Sequence, residues 1–200
     1  MDHKIITIAR QFGSGGHTIG RAVAEKLGIH CYDHEILDKL AEESGLSKDY
    51  IRKESEYAAH SSWTAVAFSS VRSMGVPTNQ DYIWAIQRKL ILSLAEKESF
   101  VIVGRCADTI LENDFDLLKV FIHASDDFRS ARVEKKYGKT DVPTDKRLRD
   151  MDKRRAMYYQ FYTDKEWGKL ENYDIALDSG RLGFDKCVDI IADLYNHEIN

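Results

Sequence analysis

Three glycines within four residues, Gly13, Gly15 and Gly16, follow almost directly on the β-branched run Ile5 to Ala9. They precede apolar positions Ile19, Val23, Ala24 and Leu27, which recur at helical spacing. This order of strand, glycine loop and helix restricts the chain more than any other feature. Glycines let a backbone curl so that several N–H groups and a helix N-terminus converge on one anion, typically phosphate. A tight strand-to-helix turn without a ligand is the alternative reading of the same residues.

The rest of the chain supplies a frame for such a loop. Phe100-Val101-Ile102-Val103 reads as a buried strand ending at Gly104, Leu117 to Ile122 as another, followed by a helix capped near Ser125, and Asp174 to Leu177 as a shorter one. Apolar runs without alternation, separated by helices, predict a parallel sheet covered on both faces. Between the first two clear strands, His34 to Glu43, Lys48 to Ala58, Trp63 to Arg72 and Gln80 to Lys97 read as helices. A second interruption, Lys135 to Trp167, is dense in charge and aromatics and reads as a mobile, mostly helical flap. The 200 residues then form one domain, with a core of about 1–30, 98–134 and 168–200, a helical lobe of about 31–97 and a flap of about 135–167.

Composition narrows the function classes. A net charge of -4 and a pI near 6.0 argue against a nucleic-acid-binding surface, while leaving room for a local basic cluster around a small anion. Cys31, Cys106 and Cys187 lie too far apart for a metal pair and are odd in number for a disulfide framework. With no apolar stretch of membrane-spanning or secretory length, a cytoplasmic protein without membrane partners is expected.

The loop departs from the phosphate-binding pattern G-x-x-x-x-G-K-S/T. With Gly15 as its second glycine, Arg10 stands at the first, Gly16 at the lysine and His17 at the hydroxyl position. Gly13, Ser14, Gly15, Gly16, His17 and Thr18 remain the candidate nucleotide-binding residues, with Thr18 available to approach phosphate or magnesium. Arg10 either folds back over the phosphates or faces solvent or an acidic neighbour. If it serves, a lysine placed at Gly16 should raise activity or be neutral. No set of protein side chains has metal-ligand spacing, so magnesium would arrive with a nucleotide.

The order ITIARQFGSGGHTIGRAVAEKLG, CYDHEIL, VIVGRCADTIL, LKVFIHASDDFRSARV, RDMDKRRAMYY and DIALDSGRLG resembles the nucleoside monophosphate kinases, specifically the bacterial cytidylate-kinase-like group. The resemblance implies an α/β three-layer P-loop NTPase fold with a parallel sheet, a helical monophosphate-binding insertion and a lid over Lys135 to Trp167. It places Arg105 at the arginine of the G-R-D motif that contacts the acceptor phosphate, with Cys106 in place of the aspartate. Asp33 matches the aspartate opening the D-T-G-A segment, although His34 and Glu35 depart from the threonine and glycine of that segment. Asp152 and Arg155 resemble the D-x-x-R element at the lid edge, and Arg129 and Arg132 the arginines at the lid entrance.

Phosphoryl transfer needs alignment and well-placed cations more than covalent chemistry, and the planar fork of arginine suits phosphate. Arg10, Arg129, Arg132 and Arg155 are therefore the candidate catalytic residues, and Asp33, Arg105, Asp152 and Arg155 the candidate acceptor-binding ones. ATP and magnesium are the implied cofactors and a (deoxy)cytidine monophosphate the implied acceptor. A kinase for another small acceptor, or a nucleotide-binding module without turnover, are the rival readings. Arg147 and Arg154 read equally as part of a solvated helix face, and Tyr158, Tyr159, Phe161, Tyr162 and Trp167 as packing or as a base-stacking surface.

Overall fold

In a computed structural model of the chain, which describes residues 3–33, 35–47, 49, 51 and 79–197, the first strand β1 (Lys4–Arg10) is central. It pairs in parallel with β3 (Phe100–Val103) on one side and β4 (Asp116–His123) on the other. Outside these lie β2 (His30–Tyr32) and β5 (Ile175–Asp178), giving five parallel strands in the order β2-β3-β1-β4-β5. The expected parallel sheet is present. The three-residue β2 was not expected, because a short edge strand reading His-Cys-Tyr carries no apolar run to announce it.

Successive side chains of these strands enter opposite layers, which is why the runs show no alternation. Ile5, Phe100 and Ile102 pack with Ile36, Leu90, Ile91, Leu94 and Leu111. These come from α2 (Glu35–Ser44), α3 (Asn79–Ala95) and α4 (Ala107–Leu111). Ile6, Ile8, Val101, Val120 and Ile122 pack instead on Ile19 and Val23 of α1 (Gly16–Leu27) and on Ile191 of α8 (Phe184–Asn196). The three layers thus follow from one two-sided sheet. The helices expected at Lys48 to Ala58 and Trp63 to Arg72 fall almost wholly outside the described residues.

After β4 comes the expected helix, α5 (Asp126–Tyr137), capped by the Ser125 hydroxyl on the Phe128 N–H, and the second interruption is carried mainly by the twenty-residue α6 (Thr144–Thr163). A short α7 (Ser179–Leu182) links β5 to α8. Because the chain leaves β1 towards β2 and leaves β3 towards β4, the neighbouring carboxyl ends of β1 and β3 open a crevice where ligands of such sheets collect. Among the described residues, no helix is long and apolar enough to cross a membrane.

Candidate active site

The glycine loop is pinned from below. The Gln11 N–H donates to Ile122 O at 2.9 Å, and the Gln11 side-chain oxygen accepts from the Ala124 N–H at 3.2 Å. Fully buried Ser14 sets its hydroxyl 2.9 Å from Gln11 O and 3.1 Å from Ile122 O, while Ser179 Oγ lies 2.6 Å from Ser14 O. Gly13 and Gly15 adopt φ of +83° and +89°, and a Cβ on Gly15 would meet the Phe184 ring at 2.5 Å. Gly15 caps α1 without a side-chain bond, so the first N–H groups of that helix face into the loop.

Gly16 is a different case, since it lies in α1 without a positive φ. A Cβ there would stand 2.5 Å from Arg10 Cβ and 2.8 Å from Arg10 Cγ, and one on Gly104 would fall on the Arg10 guanidinium. Arg10 therefore runs from the end of β1, across Gly16, to the end of β3. A lysine at Gly16 would collide with this stem, which corrects the expectation that it would raise activity or be neutral.

Above the loop, α5 and α6 contribute a second set of charges. The Asp152 carboxylate accepts from the Phe12 N–H at 2.7 Å and from Arg129 at 2.5 Å. Arg129, only 5% exposed, also donates to Phe12 O and Asp126. Arg155 donates to Arg10 O at 3.0 Å. Arg132 donates to the Thr18 hydroxyl at 2.9 Å and lies over the Phe184 ring.

Two cavities meet here. The larger, about 720 Å³, lies over the loop and is lined by Gly13, Gly15, Gly16, His17, Asp33 and Arg132 among others. The His17 imidazole and the Asp33 carboxylate are in contact at its wall. The smaller, about 70 Å³, sits at the ends of β1 and β3 among Gly104, Arg105, Cys106, Asp108, Tyr158 and Tyr159. Arg10, Met151, Arg154 and Arg155 line both and form their common wall.

The small cavity has an unusual floor. Gly104, Arg105 and Cys106 take φ of +78°, +65° and +54° in succession, and two of them carry side chains. Such a turn persists only when its surroundings hold it. Buried Gln87 of α3 supplies part of that hold, its amide nitrogen donating to Arg105 O at 3.1 Å. Burial pushes the Cys106 thiol well above its ordinary pKa, with the Asp108 charge adding to the effect, so it is no nucleophile. Burial also raises the Asp108 carboxyl, against the opposing bond from Tyr159 at 2.7 Å.

The structure brings Arg10, Arg105, Arg132, Arg155, Asp33, Gly13, Gly15, Gly16 and His17 to the cavities. It sets Ser14, Thr18, Arg129 and Asp152 elsewhere: they line neither cavity, and Arg129 and Asp152 brace the loop by holding Phe12 from both backbone sides. Arg129 was expected among the catalytic residues and Asp152 among the acceptor-binding ones; here their polar groups are engaged by one another, by Asp126 and by the backbone of Phe12. Gln87 is the residue that sequence reasoning passed over, and Arg154, named there but left out of the candidate site residues, is brought to the cavities. The aromatics pack on each other and the core: Tyr162 stacks on Trp84 at 4.2 Å and Trp167 meets Phe121 edge-on.

Comparison with known proteins gives this chain relatives of similar fold and sequence. A shikimate kinase from Acinetobacter baumannii shares the fold at a TM-score of 0.55 and 15% identity, with 99% of this chain and 96% of that one covered. An uncharacterized protein from Eubacterium ventriosum, solved by crystallography, superposes with a TM-score of 0.74 at 29% identity, covering 98% of this chain and 100% of that one. A cytidylate kinase from Archaeoglobus fulgidus is 31% identical over 93% of this chain and 91% of its own length. The family model described as the cytidylate kinase-like family matches residues 5–181, from β1 through the loop, the Gly104 turn and α6 into α7. That match spans well over half of the sequence, and the chain belongs to the cytidylate kinase-like family.

Proposed function

We propose that the protein transfers the terminal phosphoryl group of ATP to a small phosphorylated acceptor, a (deoxy)cytidine monophosphate before others. The observation that carries this reading is the wall of three arginines common to the two cavities. A donor whose phosphates rest on the loop and an acceptor whose phosphate meets Arg105 would face one another across Arg10, Arg154 and Arg155. Cations between two anions are what in-line transfer requires, because they offset repulsion on approach and charge developing in transit. Residues 31–97 would then form the acceptor lobe and 135–167 the lid, whose closure excludes water and suppresses hydrolysis. Magnesium would arrive with the nucleotide and neutralise charge on the donor phosphates, since among the described residues no cluster of His, Cys, Asp or Glu is gathered to hold it without one. Three cysteines that form no disulfide suit the reducing cytoplasm.

A panel of CMP, dCMP, UMP, AMP and unrelated hydroxyl acceptors in a coupled ATP-consumption assay with magnesium tests the reading. Turnover highest with a cytidine monophosphate supports it, and a flat panel with tight ATP binding leaves a nucleotide-binding module. One observation favours a different acceptor: Cys106, at the position of the motif's aspartate, is buried with its thiol protonated and offers no carboxylate. Selective turnover of a non-cytidine acceptor would establish that alternative. In either case Arg105→Ala should raise the acceptor KM or lower kcat/KM by about 1.5–3 kcal/mol, the scale of a charged hydrogen bond, and leave ATP affinity intact.

A further inference from the structure

Phosphate-binding loops of the strand-loop-helix kind place a lysine at the start of the helix, as a point charge for the outer phosphates of the nucleotide. This chain has glycine there, and nothing in the backbone demands it, because Gly16 lies in α1 without a positive φ, unlike Gly13 and Gly15. What demands glycine is space. Any Cβ at Gly16 would press on the Cβ and Cγ of Arg10. The two positions are mutually exclusive in side chain: one large residue at position 10 or one at position 16, never both.

We infer that Arg10 is the fixed phosphate cation of this protein, reaching the site from the end of β1 rather than from α1, and that Gly16 is glycine in order to let it pass. Three further observations support the assignment. The guanidinium ends at Gly104, directly before the turn that carries Arg105, and Arg10 lines both cavities, so its fork stands between the phosphates of donor and acceptor. A planar fork can engage two anionic groups at once, whereas an ammonium is a single point. The backbone behind it is also held, since Arg155 donates to Arg10 O and β1 pairs with β4 up to Arg10 opposite Ile122. A lysine from the helix would serve the donor alone. Arg10 serves the junction, and it ties acceptor recognition to the same cation that steadies the nucleotide.

The inference rests on the transfer reading above, so its test separates steric exchange and nucleotide binding from turnover. Four proteins suffice: the unaltered chain, Arg10→Gly, Gly16→Lys and the double variant. Glycine is required at position 10 because alanine would keep the obstructing Cβ. Thermal unfolding without ligand reads the steric term. Gly16→Lys should lower Tm when Arg10 is present and lower it far less in the Arg10→Gly background. Calorimetry with a non-hydrolysable ATP analogue and magnesium reads the charge. Affinity should fall at least tenfold in Arg10→Gly and recover in the double variant, where the lysine finds the vacated space.

Turnover with the best acceptor should fall roughly 10²–10³-fold in Arg10→Gly, the range for loss of one electrostatic donor. Should Gly16→Lys fail to fold, Gly16→Ala gives the same stability cycle with a smaller side chain, and the double variant with lysine still reads the recovery of affinity. Equal Tm losses in both backgrounds, or unchanged analogue affinity in Arg10→Gly, would overturn the inference. If the unaltered chain turns over no acceptor, the transfer reading fails, while the stability and binding cycles still decide whether Arg10 is the phosphate cation.

Discussion

At Asp152 one carboxylate serves two masters, the Phe12 N–H of the loop and the guanidinium of Arg129, and both side chains are largely buried. Removing one member of such a pair leaves the other charged in a poorly solvated place. Arg129→Met should therefore destabilise the fold by about 3 kcal/mol in urea unfolding, the usual cost of breaking a buried pair from one side. ATP affinity should fall with it, because Phe12 O loses its donor as well. Asp108 makes a second prediction at this scale. Burial keeps its carboxyl protonated to higher pH in the folded chain than in the unfolded one, so its contribution to stability is complete at low pH and is lost as pH rises through the folded value. Asparagine has no charge to bury and still accepts from Tyr159. The Tm advantage of Asp108→Asn over the unaltered chain should thus grow as pH is raised from about 4 to 7. The arginines of this site were legible as a residue type suited to phosphate, and Arg105 was legible by its place after a strand. Which guanidinium faces a cavity and which is held by a carboxylate was not, because that depends on partners more than a hundred positions away, as with Arg129 and Phe12.

The same long reach governs α6, whose docking surface is polar. Asp152, Arg155 and Tyr159 fall at i, i+3 and i+7, on one face, and bond to Phe12 N, Arg10 O and Asp108 in turn. Leu148, one turn earlier on that face, is buried as well. A helix fastened in this way shows little apolar periodicity, and within the mostly helical flap read from the sequence the structure has twenty continuous helical residues. Asp152→Ala should consequently speed amide exchange along the first half of α6 and at Phe12, with β1 unaffected. Equal rates in both proteins would mean that packing, not the polar stripe, fastens the helix. Elements with local signals fared otherwise. The Ser125 cap and the strand Phe100–Val103 were readable because a hydroxyl before an acidic first turn and an unbroken apolar run act on their own neighbours. The edge strand β2, three residues held by pairing with β3, has no such signal.

For the molecule as a whole, β1 is the shared partition of two cores, with Ile5 facing one and Ile6 and Ile8 the other. Ile8→Ala should cost about 2–5 kcal/mol in urea unfolding, and since Ile8 also lines the small cavity, acceptor kinetics should suffer alongside. The sheet, its parallel sense and its burial on both sides were legible because they depend on composition along each strand. The order of the strands was not, since crossovers leave no trace in local sequence. One tie on the far side of the sheet bears on how the chain can be rebuilt. The Lys4 ammonium donates to the carbonyls of Tyr195 and His197 at 2.8 and 2.9 Å, so the start of β1 and the close of α8 are neighbours. The site lies at the opposite end of β1, about 20 Å away for six residues of extended chain. A short linker can therefore join the chain at Lys4 to the chain at His197, and the exposed turn at Gly138, between α5 and α6, offers a new opening. A circular permutant cut there should keep its sheet and its nucleotide affinity while freeing the near end of α6, a handle for attaching a reporter to the part of the molecule nearest the phosphates.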